Sequence, residues 1–299
     1  MTAGAPESAA TAAKPASPAV KATLVAIPPE ASAGEAFRIS LESCLEHLAA
    51  NEPLFLRDRH ADNLHQTRVS WRRARAAFSL FRALVRTDEA GMDTKVRMRE
   101  IVLPLGPARD ADVLLARAVA EEWPAREQRA LRGRRRRTYA VAAPLLRSPQ
   151  WLEIKNDLMA WLAAPDWLDG AAGLRDAPAR EVTDAALERR YARVVAAGET
   201  LLTMPAHDLH HVRIEGKKFR YGCEFFADLY ADSPGTPPAE YAAAMGAMQD
   251  AFGAANDYAT AAHMLAAQGI SLQHLGPHPG RADVLAAWQN VLSLTPFWR

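Results

Sequence analysis

The sequence predicts an all-α protein built as two pseudo-equivalent halves of about four helices each, and three observations carry that expectation. Ala, Leu and Arg dominate over the β-branched residues that strands favour, and the hydrophobic content of 49% is enough for a substantial core. No alternating pattern of strand length occurs along the chain. The stretch LHQTRVSWRRARAAFSLF at 64–81 returns as LHHVRIEGKKFRYGCEFF at 209–226. Leu64/Leu209, His65/His210, Arg68/Arg213, Arg75/Arg220 and Phe81/Phe226 are identical pairs, while Arg72 and Arg73 become Lys217 and Lys218.

Residues 1–30 are rich in Ala, Pro, Ser and Thr and poor in large apolar groups, so they are expected to form a disordered tail ahead of a domain at 31–299. Residues 34–51 carry Phe37, Leu41, Cys44, Leu45 and Leu48 on one helical face, and Pro53 should end that helix. Asp62 or Asn63 is a candidate N-cap for the repeated helix, which should run to about residue 87. Residues 92–122 read as helix interrupted at Pro104 and at Gly106-Pro107. The next helix carries an arginine run towards Pro144, and another follows at 151–162. A loop is expected at 165–173. The plan then repeats with helices at 179–204, 206–230, 240–268 and 281–294, separated by Pro/Gly turns at 233–238 and 273–280. The repeats span about 34–146 and 179–294.

At about 100° per residue, His65, Arg68, Arg72 and Arg75 fall within an arc of roughly 80°, and Arg82 and Arg86 extend the stripe. Trp71, Ala74, Phe78, Phe81 and Val85 lie opposite. In the second copy His210, Arg213, Lys217 and Arg220 repeat the cationic face, with Phe219, Cys223, Phe226 and Tyr230 on the apolar one. Between Asp62 and Asp88 stand six arginines and no acid. Like charges at i, i+4 repel, so the run points to an anionic ligand. The formal net charge is only +1, with 36 basic against 35 acidic residues, and the cations are therefore local. A third cluster, residues 126–137, holds seven arginines and one glutamate. Clustering on a near-neutral chain suits a specific anion site better than indiscriminate coating of nucleic acid.

The pattern H-x-x-R-[VI]-x-x-[RK]-[RK]-x-R, present twice, resembles that of the CHAD domain, the conserved-histidine α-helical domain. LGPARDADVLL (105–115) is paralleled by FGAANDYATAA (252–262), which aligns Gly106 with Gly253 and Asp110 with Asp257, each aspartate expected to follow a Gly-containing break, and the chain closes on PFWR. The resemblance covers about residues 34–299. It implies an internally duplicated helical bundle, its halves related by a pseudo-twofold, around a basic channel that binds inorganic polyphosphate. On that reading the binding residues are His65, Arg68, Arg72, Arg73, Arg75, Arg82, His210, Arg213, Lys217, Lys218 and Arg220. Arg109 and the row Arg129, Arg132 and Arg136 are additional candidates, although Arg109 becomes Asn256 in the second repeat. Guanidinium groups suit such a ligand because they donate paired hydrogen bonds to phosphate oxygens and stay charged.

Enzymatic signals are absent: there is no P-loop, no G-x-S-x-G, no H-E-x-x-H and no E-x-E-x-K strand of the triphosphatase domain to which some CHAD domains are fused. His65 and His210 each have an arginine at i+3, which repels a metal, and they are expected to donate as imidazolium or to support the helix start. No metal or cofactor is expected. Cys44 and Cys223 have no metal-like spacing and read as small core residues of a reducing compartment. No apolar run reaches the ~18 residues of a membrane span. No secretory signal pattern opens the chain, so a cytoplasmic place is expected, and the resemblance implies one on the polyphosphate granules of a bacterium. The rivals are a nucleic-acid-binding helical module, disfavoured by scattered tryptophans, and a metal-dependent phosphohydrolase, disfavoured by sparse carboxylates near the stripes.

Overall fold

A computed structural model describes residues 18–164, 166–278, 280 and 282–299. The helices are α1 (Ala33–Asp58), α2 (Ala61–Leu80), α3 (Arg82–Val85), α4 (Glu89–Val102), α5 (Gly106–Ala120), α6 (Ala125–Leu145), α7 (Pro149–Leu162), α8 (Ala172–Arg175), α9 (Ala179–Val195), α10 (Ala206–Phe225), α11 (Pro238–Ala266) and α12 (Ala282–Ser293). Among the described residues the β content is one isolated bridge between Ser32 and Pro178, so the fold is all-α. Arg281, the expected start of the last helix, and Pro165, the expected start of a loop, lie outside the described residues. Residues 166–175 form turns and the short α8.

Helix α1 opens on a capping box, in which the Ser32 hydroxyl accepts from the Glu35 amide and the Glu35 carboxylate accepts from the Ser32 amide. It continues through Pro53, where the sequence placed its end, and leaves at Arg59 in the left-handed conformation (φ 52°). The reason is tertiary: Phe55, beyond the proline, is fully buried with its ring 5.5 Å from that of Tyr139 on α6, and burial overrides local propensity. Helix α2 is capped by neither Asp62 nor Asn63 but by His60, whose Nδ1 accepts from the Asp62 amide.

Both copies of the repeated helix are shorter than expected and stop at the same matched residue: α2 has Phe81 as its C-cap, and α10 has Phe226. The two rings meet edge to face with centroids 5.5 Å apart. The apolar faces read from the sequence are the buried ones, with Trp71, Phe78, Phe81, Phe219, Cys223, Phe226 and Tyr230 all in the core. Both thiols are buried, and desolvation pushes Cys44 up to about 12 and Cys223 well above its ordinary value, which suits small core residues rather than nucleophiles.

Two further expectations change. The break before Asp110 has no counterpart before Asp257, because Pro104 and Pro107 remove backbone donors between α4 and α5, whereas Gly253 sits inside the unbroken α11. The tail expected to be disordered to residue 30 is laid against the bundle from residue 18. Val25 and Ile27 are buried, the Val20 amide donates to Asn51 Oδ1, and the Val20 carbonyl accepts from Asn51 Nδ2. A few apolar residues at alternate positions suffice to dock an extended segment. The rest of that expectation, residues 1–17, lies outside the described residues.

The C-terminal Phe297 and Trp298 are buried among Tyr191, Phe219, Tyr230 and Tyr241. Gly235 makes this docking possible, because a Cβ there would lie 2.6 Å from Phe297 Cα and 2.7 Å from the Pro296 carbonyl oxygen. Backbone cannot swing aside as a side-chain tip can. Gly235→Ala is therefore expected to destabilise the protein by about 1–3 kcal/mol, read as an earlier midpoint in urea denaturation.

Candidate polyanion site

Helices α2 and α10 pack side by side, and their cationic faces converge. Arg68, Arg72, Arg213 and Lys217 are all half-buried. Arg68 is pushed down to about 10, by burial first and then by Arg72, with Asp110 opposing. Arg213 is lowered by burial, with Asp257 opposing and Arg72 adding. Lys217 falls to about 7 because it is buried beside Arg213 and Arg72. The influence of Arg72, from the first copy, on two residues of the second brings both stripes to one place. Two carboxylates share it: burial raises Asp110, Arg68 opposes that rise and Asp257 adds to it. The Nε atoms of Arg72, Arg134 and Arg213 are buried without a hydrogen-bond partner, which is costly unless a ligand supplies acceptors.

From this cluster the line of cations continues past Arg75, which burial and Arg99 depress. It reaches Lys95, which burial lowers together with Lys218, Arg82, Arg190 and Arg75. Beyond Lys95 a cleft of about 660 Å³ opens, lined by Ser79, Arg82, Ala83, Arg86, Lys95, Arg189, Arg190, Arg193 and Lys218. Among the described residues no carboxylate lines it. Glu215 stands behind and pairs with Arg190, Arg193 and Lys218.

Several sequence-chosen residues lie elsewhere. Arg73 is buried, ion-paired to Glu224, with its guanidinium carbon 4.6 Å from the Phe225 ring centroid, and it cements α2 to α10. Arg220, the match of Arg75, pairs with the same Glu224 at 2.6 Å and donates to Gln249 Oε1. Together with His65, Lys21 and Arg73 it lines a second cavity of about 310 Å³. The two matched positions therefore face different surroundings: Glu224 balances Arg220, while Arg75 faces the cation Arg99. Burial, then Arg109, Arg72 and Arg68, push His65 down to about 4. It is therefore neutral near pH 7 in the ligand-free protein. His210 is exposed and also lowered, by burial first and then by Arg213. Arg109 sits beside His65 and Arg68.

The row Arg129, Arg132 and Arg136 is exposed. At 100° per residue these residues sit roughly 140–160° around α6 from Arg134, the arginine that acts on Asp110, so they face away from the cluster. Their neighbour Arg135 is structural, pairing with buried Asp112 at 2.6 Å and donating to the Arg59 carbonyl. Lys95, Arg99, Arg134, Arg189, Arg190 and Arg193 were not foreseen. On α4 Asp93 and Asp157 both go to Arg97, leaving Lys95 and Arg99 to the cluster. A signal existed in Arg189-Arg190 and Arg193, but nothing in the chain order connects α9 to α2.

All seven tryptophans are buried, so none offers a ring for stacking single-stranded bases. Among the described residues no group of three His, Cys, Asp or Glu is placed to hold a metal, and no helix is long and apolar enough to cross a membrane.

A crystal structure of the CHAD domain from the plant Ricinus communis matches the fold with a TM-score of 0.71 at 26% identity, over 92% of this chain and 90% of that one. PptA from Streptomyces chartreusis matches with a TM-score of 0.59 at 18% identity, over 88% of this chain and 99% of that one, a likeness of fold. Comparison with curated proteins gives no match. The CHAD domain family model matches residues 39–266, a span that takes in both copies of the repeated helix and the cationic cluster between them, and the chain belongs to the CHAD domain family.

Proposed function

We propose that the protein binds inorganic polyphosphate without catalysis, the chain lying along the cationic faces of α2 and α10 from Arg68, Arg72, Arg213 and Lys217 past Arg75 to Lys218 and Arg82. The two signature helices act in this reading as the duplicated walls of one basic channel, and the protein resides on polyphosphate granules in the bacterial cytoplasm. CHAD family membership fits polyphosphate binding. The observation that carries the reading is the mutual depression of half-buried cations from both copies, Lys217 down to about 7 beside Arg72 and Arg213. Charges so crowded are destabilised until anions enter among them. Polyphosphate has a charge on every unit and no bases, so it needs neither groove-reading elements nor exposed aromatic rings.

Titration with long-chain polyphosphate at rising salt tests this. Affinity should fall steeply with salt, as counterion release requires, and should exceed that for an oligonucleotide of equal charge. Proton linkage adds a second readout. The ligand-free pKa of Lys217 lies well below that of an ordinary lysine, so the amine is largely neutral at pH 8, and bound phosphates raise it again. Binding at pH 8 should therefore take up protons, seen calorimetrically as an apparent enthalpy that varies with the ionisation heat of the buffer, and Lys217→Met should remove most of that dependence. Salt-independent affinity, or tighter binding of the oligonucleotide, would overturn the reading.

A further inference from the structure

We propose that the cleft enclosed by α3, α4, α9 and α10, where the proposed chain path ends at Lys218 and Arg82, is also a site for a compact, multiply phosphorylated small molecule. Its volume of about 660 Å³ lies within the roughly 300–1,000 Å³ typical of small-ligand pockets. The arrangement of its cations differs from that of the seam. Along α2 and α10 they follow one another in file, as a linear chain requires. Here they converge on one space: Arg82 from α3, Arg86 just after it, Lys95 from α4, Arg189 and Arg193 from α9, and Lys218 from α10.

Arg82, Arg86, Lys95 and Arg189 have no acidic partner among the described residues. Lys95 is lowered by burial and then by Lys218, Arg82, Arg190 and Arg75, and Arg189 by burial and then by Arg190, Arg193 and Arg82, so the cations are close enough to oppose one another's charge. The walls are also preformed. Buried Arg190 donates to the carbonyl oxygen and the hydroxyl of Ser79 at 2.8 and 2.9 Å and pairs with Glu215, which ties α9 to both α2 and α10. A ligand with phosphates projecting in several directions can meet all four elements at once at little ordering cost, whereas an extended chain of the same charge can follow only one wall.

The test is calorimetric titration of the full-length protein with myo-inositol hexakisphosphate and, separately, with linear hexaphosphate at near-physiological salt. The ring compound is expected to bind one per protein and more tightly than the linear one. Arg189→Ala combined with Arg193→Ala should weaken the ring compound by about tenfold or more, since charge-assisted phosphate contacts are the strong class of hydrogen bond. Both arginines are exposed, so the variant should keep its helical circular dichroism. The same charge removed at Arg129 and Arg136, on the far side of α6, should leave binding unchanged. Linear hexaphosphate binding as tightly as the ring would make the cleft a stretch of the chain's path and overturn the proposal, as would equal losses in the two double variants. A protein that binds long chains but not the ring sinks this inference alone, and one that binds the ring but no long chain sinks only the polyphosphate reading.

Discussion

Replacing Arg72 with Glu is expected to weaken long-chain polyphosphate binding about a hundredfold or more, equivalent to roughly 2.7 kcal/mol, while leaving the fold intact. Arg72 acts on Arg68, Arg213 and Lys217, so a carboxylate at this position would pair with the cations proposed to hold the ligand. Two effects add: an attraction to phosphate is lost and a repulsion appears, each worth a few kcal/mol at ~5 Å and an effective dielectric near 20. Stability should not fall, because the reversal relieves repulsion within the cluster. The proton uptake at pH 8 should shrink as well, since a neighbouring carboxylate would raise the Lys217 pKa before any ligand arrives. Arg132→Glu is the matched comparison, exposed and bonded to Gln128 on its own helix. Equal losses in the two variants would show that the protein attracts polyanions by overall charge and not at this cluster.

Glu224→Gln should produce the opposite pattern, a large loss of stability with little change in the binding surface. Glu224 is the acid that balances Arg73, whose side chain is only 4% exposed, and it also holds Arg220. Removing one member of a buried pair leaves an uncompensated charge, at a cost of about 3–5 kcal/mol. For a domain of this size that lowers the melting temperature on the order of ten degrees. The amide keeps the shape of the carboxylate, so the change isolates charge from packing. Below the transition, long-chain affinity should stay within a few-fold of the parent, because neither Arg73 nor Glu224 lies on the proposed chain path. An unchanged melting temperature would show that Arg73 is compensated by something other than Glu224.

These two substitutions concern arginines adjacent in sequence, and the contrast marks where sequence reading stops. Helical period separates Arg72 from Arg73 by about 100°, enough to put them on different faces but not enough to say what each face meets. The partner of Arg73 lies in the other copy of the repeat. Pro53 and Gly253 carry the same lesson for the fold: one was read as a stop and the other as a break, and both lie within helices. Long-range burial of Phe55 decides the first, and the absence of a flanking proline the second.

By itself the sequence determined the all-α class, the two matched helices, the buried face of each and the presence of a cationic stripe. All of these follow from composition and the 3.6-residue period, which are properties of the chain taken locally. Only the tertiary structure decided which cations share one space. It brought Arg72 against Arg213 and Lys217, added Lys95, Arg189 and Arg193 from other helices, and withdrew Arg73 and Arg220 behind Glu224. Coulomb energy depends on distance through space and on burial, and neither is encoded in the spacing of residues along the chain.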